Sequence, residues 1–450
     1  MRTLVIGFAR SGAAATKLLL DEGSEVIVSD PKLDFSEVAV KNFEKQGVVF
    51  TQDQDEHLLE GINQIVKNPG IPYQIPILQA AVKKQIPIVV EVALAQKYIS
   101  GDWIAVTGSN GKTTATEMIA AVLRTQHTPT HDVRVAGNIG TPVSEIAQSV
   151  RPTDTLLTEL SSFQLMGVPE LKPKISVVTN IYASHLDYHG SRENYIAAKM
   201  NITRNQDASD YLVMNFDRAE WRALSDQSHA QIVPFSREGY TESGAYQKDG
   251  WLYFQDEAIM PASDLGVAGD HNIENALIAI AVGHIQGVPT AAIQQALHEF
   301  TGVKHRLQKV GTYLDRLIYN DSKATDIEAT ESALSGFTQP IVLLAGGLDR
   351  GDDEMRLLNA VKPHVKQMIV FGETADKLVT VAQKAEIPVE KTENVTTAVP
   401  LAFETSVPGD LILLSPAAAS WDQYPNFETR GDLYIQAVQD YAATQRSEVN

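Results

Sequence analysis

The chain contains no cysteine. That removes thiol nucleophiles, Cys-bound zinc and disulfides from consideration. It is also short of positive charge: 37 Lys and Arg stand against 56 Asp and Glu, for a net charge of −19. A surface of that sign disfavours a general affinity for nucleic acid or anionic membrane, and leaves only local basic pockets for anions. No apolar run reaches the ~18 residues that a membrane span needs. Met1 and Arg2 run straight into "TLVIGF" without a charged leader and cleavage site. Short internal repeats and low-complexity tracts are missing as well. The expectation is a cytoplasmic protein with no nucleic-acid partner and no membrane insertion.

What is present is an alternation of strand-like and helix-like segments over 450 residues. At ~150 residues per domain that length suggests about three domains. The alternation predicts α/β domains with mainly parallel sheets. A first block opens with "TLVIGFARSG", continues through "EVIVSD", and ends near residues 97–101. A second starts with "WIAVTG" and carries the strands "DTLLTELS", "KISVVTNI" and "YLVMNF". Within it, 231–265 reads as hairpin pieces ("QIVPFS", "WLYFQD") and predicts an antiparallel annex. A third block, after "FTGVKHR", has strands "RLIYNDS", "PIVLLAGG", "QMIVFG" and "DLILLSPA". In such units ligands sit at the carboxyl ends of the strands.

The strongest local signal is "VTGSNGKTTA", 106–115. It lies between a strand and a helix, so backbone N–H groups and the positive helix end point at one spot. Only Ser109 and Asn110 separate Gly108 from Gly111, two residues fewer than the familiar phosphate loop holds. Lys112 is suited to terminal phosphates and Thr113 to Mg²⁺, with Thr114 beside it.

A second glycine turn, Gly7 to Gly12, resembles the dinucleotide fingerprint with Ala9 at the middle glycine, and Asp30 ends the next strand. By pattern it takes NAD, takes a nucleotide-sugar diphosphate, or only packs a strand on a helix. Glu159, ending an apolar strand, is either a Mg²⁺ ligand or a helix-start acid beside Ser161 and Ser162. His185, Asp187 and His189 follow another strand, where such histidines are most simply surface residues. Lys199 reads as a helix-face lysine. His305, Arg306, Asp321 and Lys323 form either a ribose–phosphate clamp or an ordinary ion-pair group.

Taken together, "TGSNGKTT", "GNIGTP", "ELSSFQL", "HLDYHG" with "AAK", "GDHNIENA", "HR", "NDSKATD", "AGGLDRG" and "SPAAASWDQYPNFETRG" resemble the Mur ligase family across nearly the whole chain. The last three strings are most similar to its D-glutamate-adding members, and the shortened phosphate loop is normal for the family. The resemblance implies an N-terminal Rossmann-like domain over 1–98 for a UDP-sugar, a central P-loop ATPase-like domain over 99–302, and a C-terminal Rossmann-like domain over 303–450 for the amino acid. It implies a monomer that joins D-glutamate to UDP-N-acetylmuramoyl-L-alanine with ATP, through an acyl phosphate, with domain closure keeping that intermediate dry.

Residue by residue, the resemblance puts Arg10 and Ser11 at the diphosphate and Asp30, Lys32 and Gly70 near uracil. Asn138, Ser161 and Gln164 lie along the muramoyl-alanine arm. Gly108 to Thr114 cradle the ATP phosphates, Asn275 reads adenine, and Arg306 with Asp321 meets ribose and phosphates. Two Mg²⁺ ions are implied, one on Thr113 and Glu159, the other on Glu159, His185 and Lys199. An ammonium has no acceptor for a cation, and the family resolves this by carbamylating the lysine. Lys323, Thr325, Ser420 and Phe427 fall to the D-glutamate side, with Arg350 where some members carry Lys. Against a folylpolyglutamate synthase, a pteridine-binding relative, stand the "NDSKATD" and "SWDQYPNF" strings.

Overall fold

The computed structural model describes residues 1–182 and 184–448. It divides into two compact units, Met1–Phe300 and Thr301–Asn450, which hold three mixed α/β sheets between them.

The first unit contains two sheets. In the N-terminal one, Val49–Thr51, Glu25–Ser29, Arg2–Ile6, Gln64–Lys67 and Ile88–Val89 lie side by side, all parallel. The order reverses between Arg2–Ile6 and Gln64–Lys67. Ligands of open parallel sheets bind at such a switch point, and here it is flanked by the Gly7 turn and the 68–71 loop. The helix Arg10–Asp21 buries Ala14, Ala15, Leu18 and Leu19 at helical spacing, the apolar stripe that packs a helix on a sheet. At Gly12 a Cβ would fall 2.0 Å from the Gly7 carbonyl oxygen. The second glycine therefore serves close strand–helix packing, one of the roles open to it in the sequence.

The larger sheet has nine strands. Its parallel part runs Val133–Gly137, Thr155–Glu159, Asp102–Thr107, Ile175–Val178, Tyr211–Asn215 and Gln231–Ser236. The middle strands are buried on both faces, which is why they read as continuous apolar runs. The antiparallel annex is smaller than 231–265. "QIVPFS" pairs parallel with Tyr211–Asn215, because the helix Ala219–Ser225 makes the connection a crossover. Only Ala245–Lys248, Trp251–Phe254 and Glu257–Pro261 form the antiparallel meander.

In the second unit six strands are ordered Gln308–Tyr313, Arg316–Asn320, Leu411–Leu414, Ile341–Gly346, Val365–Phe371 and Val389–Lys391. All neighbours are parallel except the first pair. Asp321, Gly346 and Ser415 lie at or just past the carboxyl ends of three adjacent strands. Among the described residues no helix is long and apolar enough to cross a membrane.

Candidate active site

The short loop leaves the strand Asp102–Thr107 and enters the helix Lys112–Arg124. Gly111 caps that helix at φ +79°, a left-handed conformation natural to glycine. The loop is clamped from the next strand's end: Ser109 N donates to Asn180 O (2.9 Å), and Asn110 N to Asn180 Oδ1 (2.8 Å). Thr179 Oγ1 donates back to Asn110 O (2.6 Å). Lys112 Nζ donates to Ser109 O at 2.8 Å. Asn275, on the helix Asp270–Ile285, lies against this loop, since a Cβ at Gly111 would come 2.8 Å from its Oδ1.

Glu159 ends the neighbouring strand and is 2% exposed. Thr113 Oγ1 donates to one carboxylate oxygen and Asn138 Nδ2 to the other, each at 2.8 Å. Lys199 is equally buried, and its Nζ donates to Gly108 O at 2.6 Å. Desolvation, helped by the Lys112 charge and opposed by Glu159, lowers its pKa to about 7. The sequence treats this lysine as a helix-face residue; the fold turns it inward onto the phosphate loop. A buried carboxylate beside a hydroxyl, with a lysine that loses its proton easily, fits the donor set implied for divalent metal.

His185 precedes the short helix Leu186–His189 and is exposed, its ring 5.0 Å from that of Phe163. His189, expected at the surface, is 7% exposed. It stacks on Phe163 and shares a hydrogen bond with Ser162 Oγ at 3.0 Å. Local sequence misses this because the covering ring comes from another segment. The side chain of Asp187 lies outside the described residues.

A cleft of 410 Å³ gathers Arg10, Ser11 and Gly70 from the N-terminal sheet with Asn138, Ser161, Phe163 and Gln164 from the larger one. The structure thus brings the residues assigned to the diphosphate and those assigned to the sugar–alanine arm to one place. Asp30 accepts from Phe8 N (2.8 Å) and Lys32 N (2.9 Å), which ties the glycine turn to the next strand end. Lys32 is exposed. Arg10 pairs with Glu145 at 3.3 Å. Ser161 and Gln164 form a capping box on the helix Ser162–Leu165.

In the second unit Asp321 accepts from Leu307 N and Ser415 Oγ, both at 3.0 Å. Burial raises its pKa to about 6, against the lowering effect of those bonds and of Arg306. His305 is buried, within 3.0 Å of Asn320 Nδ2. Lys323 Nζ stands 5.8 Å over the Phe427 ring, and Thr325 N donates to Lys323 O. Ser420 is buried, and the exposed Arg350 stacks on Trp421 at 4.8 Å.

Two buried cations had no signal in the sequence. Arg430, fully buried, donates five hydrogen bonds to Ser322, Gly346 and Ala418. Lys67, 1% exposed, holds the 68–71 loop. Burial of a cation within a single strand or helix turn leaves no periodic trace.

The chain matches three family patterns in order: "Mur ligase MurD-like, N-terminal domain" over 1–90, "Mur ligase middle domain" over 106–283, and "Mur ligase, glutamate ligase domain" over 305–418. The chain belongs to the Mur ligase family. Among its family relatives, the UDP-N-acetylmuramoylalanine--D-glutamate ligase of Lactiplantibacillus plantarum is 54% identical over 441 residues, covering 97% of this chain and 96% of its own length. The ligase of the same name from Latilactobacillus sakei is 52% identical over 439 residues, covering 97% and 96%. Solved Mur ligases share the fold at low identity. MurF from Acinetobacter baumannii superposes with TM-score 0.58 at 17% identity, covering 96% of this chain and 93% of its own. UDP-N-acetylmuramate-alanine ligase MurC from Thermotoga maritima gives 0.57 at 18%, covering 98% and 100%.

Proposed function

We propose that the chain is an ADP-forming ligase that joins the amine of D-glutamate to the alanyl carboxylate of UDP-N-acetylmuramoyl-L-alanine. The observation that carries this is the 410 Å³ cleft, which sets the N-terminal glycine turn opposite Asn138, Ser161 and Gln164, with Asn138 bonded to Glu159 at the ATP loop. A nucleotide diphosphate held at Arg10 and Ser11 would extend its sugar arm toward the phosphate loop. Full-length relatives at about half identity support the same substrates.

The work divides among a UDP-sugar domain over 1–98, an ATP domain over 99–302 and an amino-acid domain over 303–450. Carboxylate and amine do not condense in water, because the carboxylate carbon is a poor electrophile. A carboxylate oxygen attacks the γ-phosphorus of ATP and ADP departs, leaving an acyl phosphate. The D-glutamate nitrogen attacks the acyl carbon, loses a proton, and inorganic phosphate leaves. The Lys112 ammonium and the N–H groups at the helix start neutralise the γ-phosphoryl oxygens. Asn138, Ser161 and Gln164 orient the arm; Asn275, Arg306 and Asp321 hold the nucleotide. Lys323, Thr325, Arg350, Ser420 and Phe427 receive D-glutamate, where Arg350 offers a bidentate partner to a carboxylate.

Thr113 and Glu159 would hold one Mg²⁺, and Glu159, His185 and a carbamylated Lys199 the other. Bound there, the ions would supply charge neutralisation between two anionic reactants. Lys199 suits carbamylation because its amine is largely unprotonated slightly above neutrality, and only the free amine adds CO₂. The protein acts as a cytoplasmic monomer.

Transfer of label tests the chemistry. With ¹⁸O in the alanyl carboxylate, one labelled oxygen should appear in each inorganic phosphate released with D-glutamate, ATP and Mg²⁺ present. Unlabelled phosphate during product formation would rule out the acyl phosphate.

A further inference from the structure

Lys67 ends the strand Gln64–Lys67 at the switch point of the N-terminal sheet. Its ammonium is 2.9 Å from the carbonyl oxygens of Pro69 and Ile71 and 3.3 Å from that of Asn68. A fourth oxygen, the Tyr188 hydroxyl, is 3.3 Å away. All four acceptors are neutral, and the Tyr73 ring lies 4.6 Å below the charge. Three N–H donors shared among four oxygens leave that charge uncancelled. Burial brings Lys67 to about 8, and burial with the neighbouring Tyr73 lifts Tyr188 to about 12, so at neutral pH the pair is ammonium and phenol.

The Tyr188 hydroxyl also reaches the same loop, 3.1 Å from Ile71 O and 3.3 Å from Pro69 O. Its ring meets Phe163 edge-on at 4.5 Å. Asn68, Pro69, Gly70 and Phe163 all line the 410 Å³ cleft. Tyr188 belongs to the helix Leu186–His189, which starts directly after His185. One buried ammonium and one phenol therefore join a loop of the N-terminal sheet to the segment that follows His185. Neither side chain is in reach of a phosphate-loop atom through any of these bonds.

We propose that Lys67 and Tyr188 are a positioning pair that ties the 68–71 loop, one wall of the nucleotide-sugar cleft, to the helix Leu186–His189. The proposal deepens the functional reading above and rests on it for the identity of the substrate. The pair touches no reacting atom. It acts by holding the Pro69 and Ile71 carbonyls, so the loop that carries Gly70 keeps the shape that receives the nucleotide.

The test uses the full chain with Lys67→Met, which keeps the aliphatic stem, and Tyr188→Phe, which keeps the ring on Phe163. Lys67→Met should raise KM for UDP-N-acetylmuramoyl-L-alanine about tenfold, because the single Tyr188 proton cannot serve both the Pro69 and Ile71 carbonyls. Tyr188→Phe should raise it by a smaller factor, about threefold, because Lys67 still holds both carbonyls and only the tie to the helix is lost, with KM for ATP changed less than about twofold in either. The double variant should fall well short of the product of the two, because one bond is common to both. Amide exchange supplies a readout that needs no substrate. Peptides covering 64–75 and 184–191 should exchange faster in Lys67→Met, and those covering 105–116 should not. Equal rises in both KM values, or faster exchange at 64–75 with 184–191 unchanged, would overturn the pair. If Lys67→Met does not fold, Tyr188→Phe carries its own KM criterion and the same exchange criteria. A wild-type chain inactive on this UDP-sugar would defeat the functional reading, while the exchange pattern would still decide the pair.

Discussion

Asp321→Asn should make the second unit more stable at neutral pH while impairing the enzyme. Asp321 is 4% exposed and titrates near 6 instead of 3.8, chiefly because burial disfavours its charge. The folded pKa is raised, so this acid favours the fold fully below about pH 4, and that contribution is lost as pH climbs through 6. A difference of that size corresponds to about 3 kcal/mol between the acidic and neutral limits, of which about 2 kcal/mol falls between pH 4.5 and 7.5. Asparagine fits the site. Its Oδ1 can accept from Leu307 N, and Ser415 Oγ can accept from Nδ2 while turning its proton to Thr330 Oγ1, 3.0 Å away. The assay is urea unfolding of the full chain without nucleotide, followed by pulsed amide exchange in the strands Leu411–Leu414 and Ile341–Gly346, which report this unit alone. The stability of Asp321→Asn relative to wild type should grow by about 2 kcal/mol from pH 4.5 to 7.5. A gap that stays flat or shrinks with rising pH would show that Asp321 is not held ionised against its environment. The same variant should bind ATP more weakly, which would explain why a carboxylate is kept at a site that disfavours it.

Gly111→Ala meets two obstacles: a left-handed φ of +79° and Asn275 Oδ1 at 2.8 Å from the new Cβ. The backbone part alone should cost about 1–2 kcal/mol in unfolding free energy. Adding Asn275→Ala should relieve the clash and leave the backbone part, so a double variant as stable as Asn275→Ala alone would contradict the assignment. Lys112→Ala should abolish phosphate release while calorimetry still detects UDP-sugar binding; loss of both would argue against separate sites. Lys199→Ala should lose turnover and regain part of it with added formate or acetate, small carboxylates that fit the space vacated by the lysine and replace an anionic ligand.

The fold was legible wherever structure is local. Continuous apolar runs such as "WIAV" and "LILL" are what a strand buried on both faces must look like, and each became one. The boundary of the antiparallel annex was not, because "QIVPFS" takes its direction from the preceding helix rather than from its own residues. The site divides in the same way. The phosphate loop and its lysine are a contiguous string, and Glu159 ends a strand that pairs directly with the loop's own. Lys67 gave no signal, since its burial depends on Tyr188, 121 residues away. His189 was misjudged because Phe163 and Ser162 cover it from another segment.

Two buried cations, Lys67 and Arg430, share a feature that bears on function. Their hydrogen bonds go to carbonyl and hydroxyl oxygens, all but the Tyr188 hydroxyl at the carboxyl ends of strands or in the loops beyond them. Those loops change direction sharply and leave carbonyls that no ladder can satisfy, and a cation with several donors satisfies a cluster of them at once. A carboxylate partner at the same place would stabilise the cation but cancel its field. Neutral dipoles solvate the charge and leave a net positive potential. In a chain with a net charge of −19, that is how strand ends can present positive potential to a diphosphate and a dicarboxylic amino acid, both of them anions. The groups that shape the loops would then also draw the substrates to them, which accounts for placing ammonium and guanidinium groups where neutral donors would have served the backbone as well.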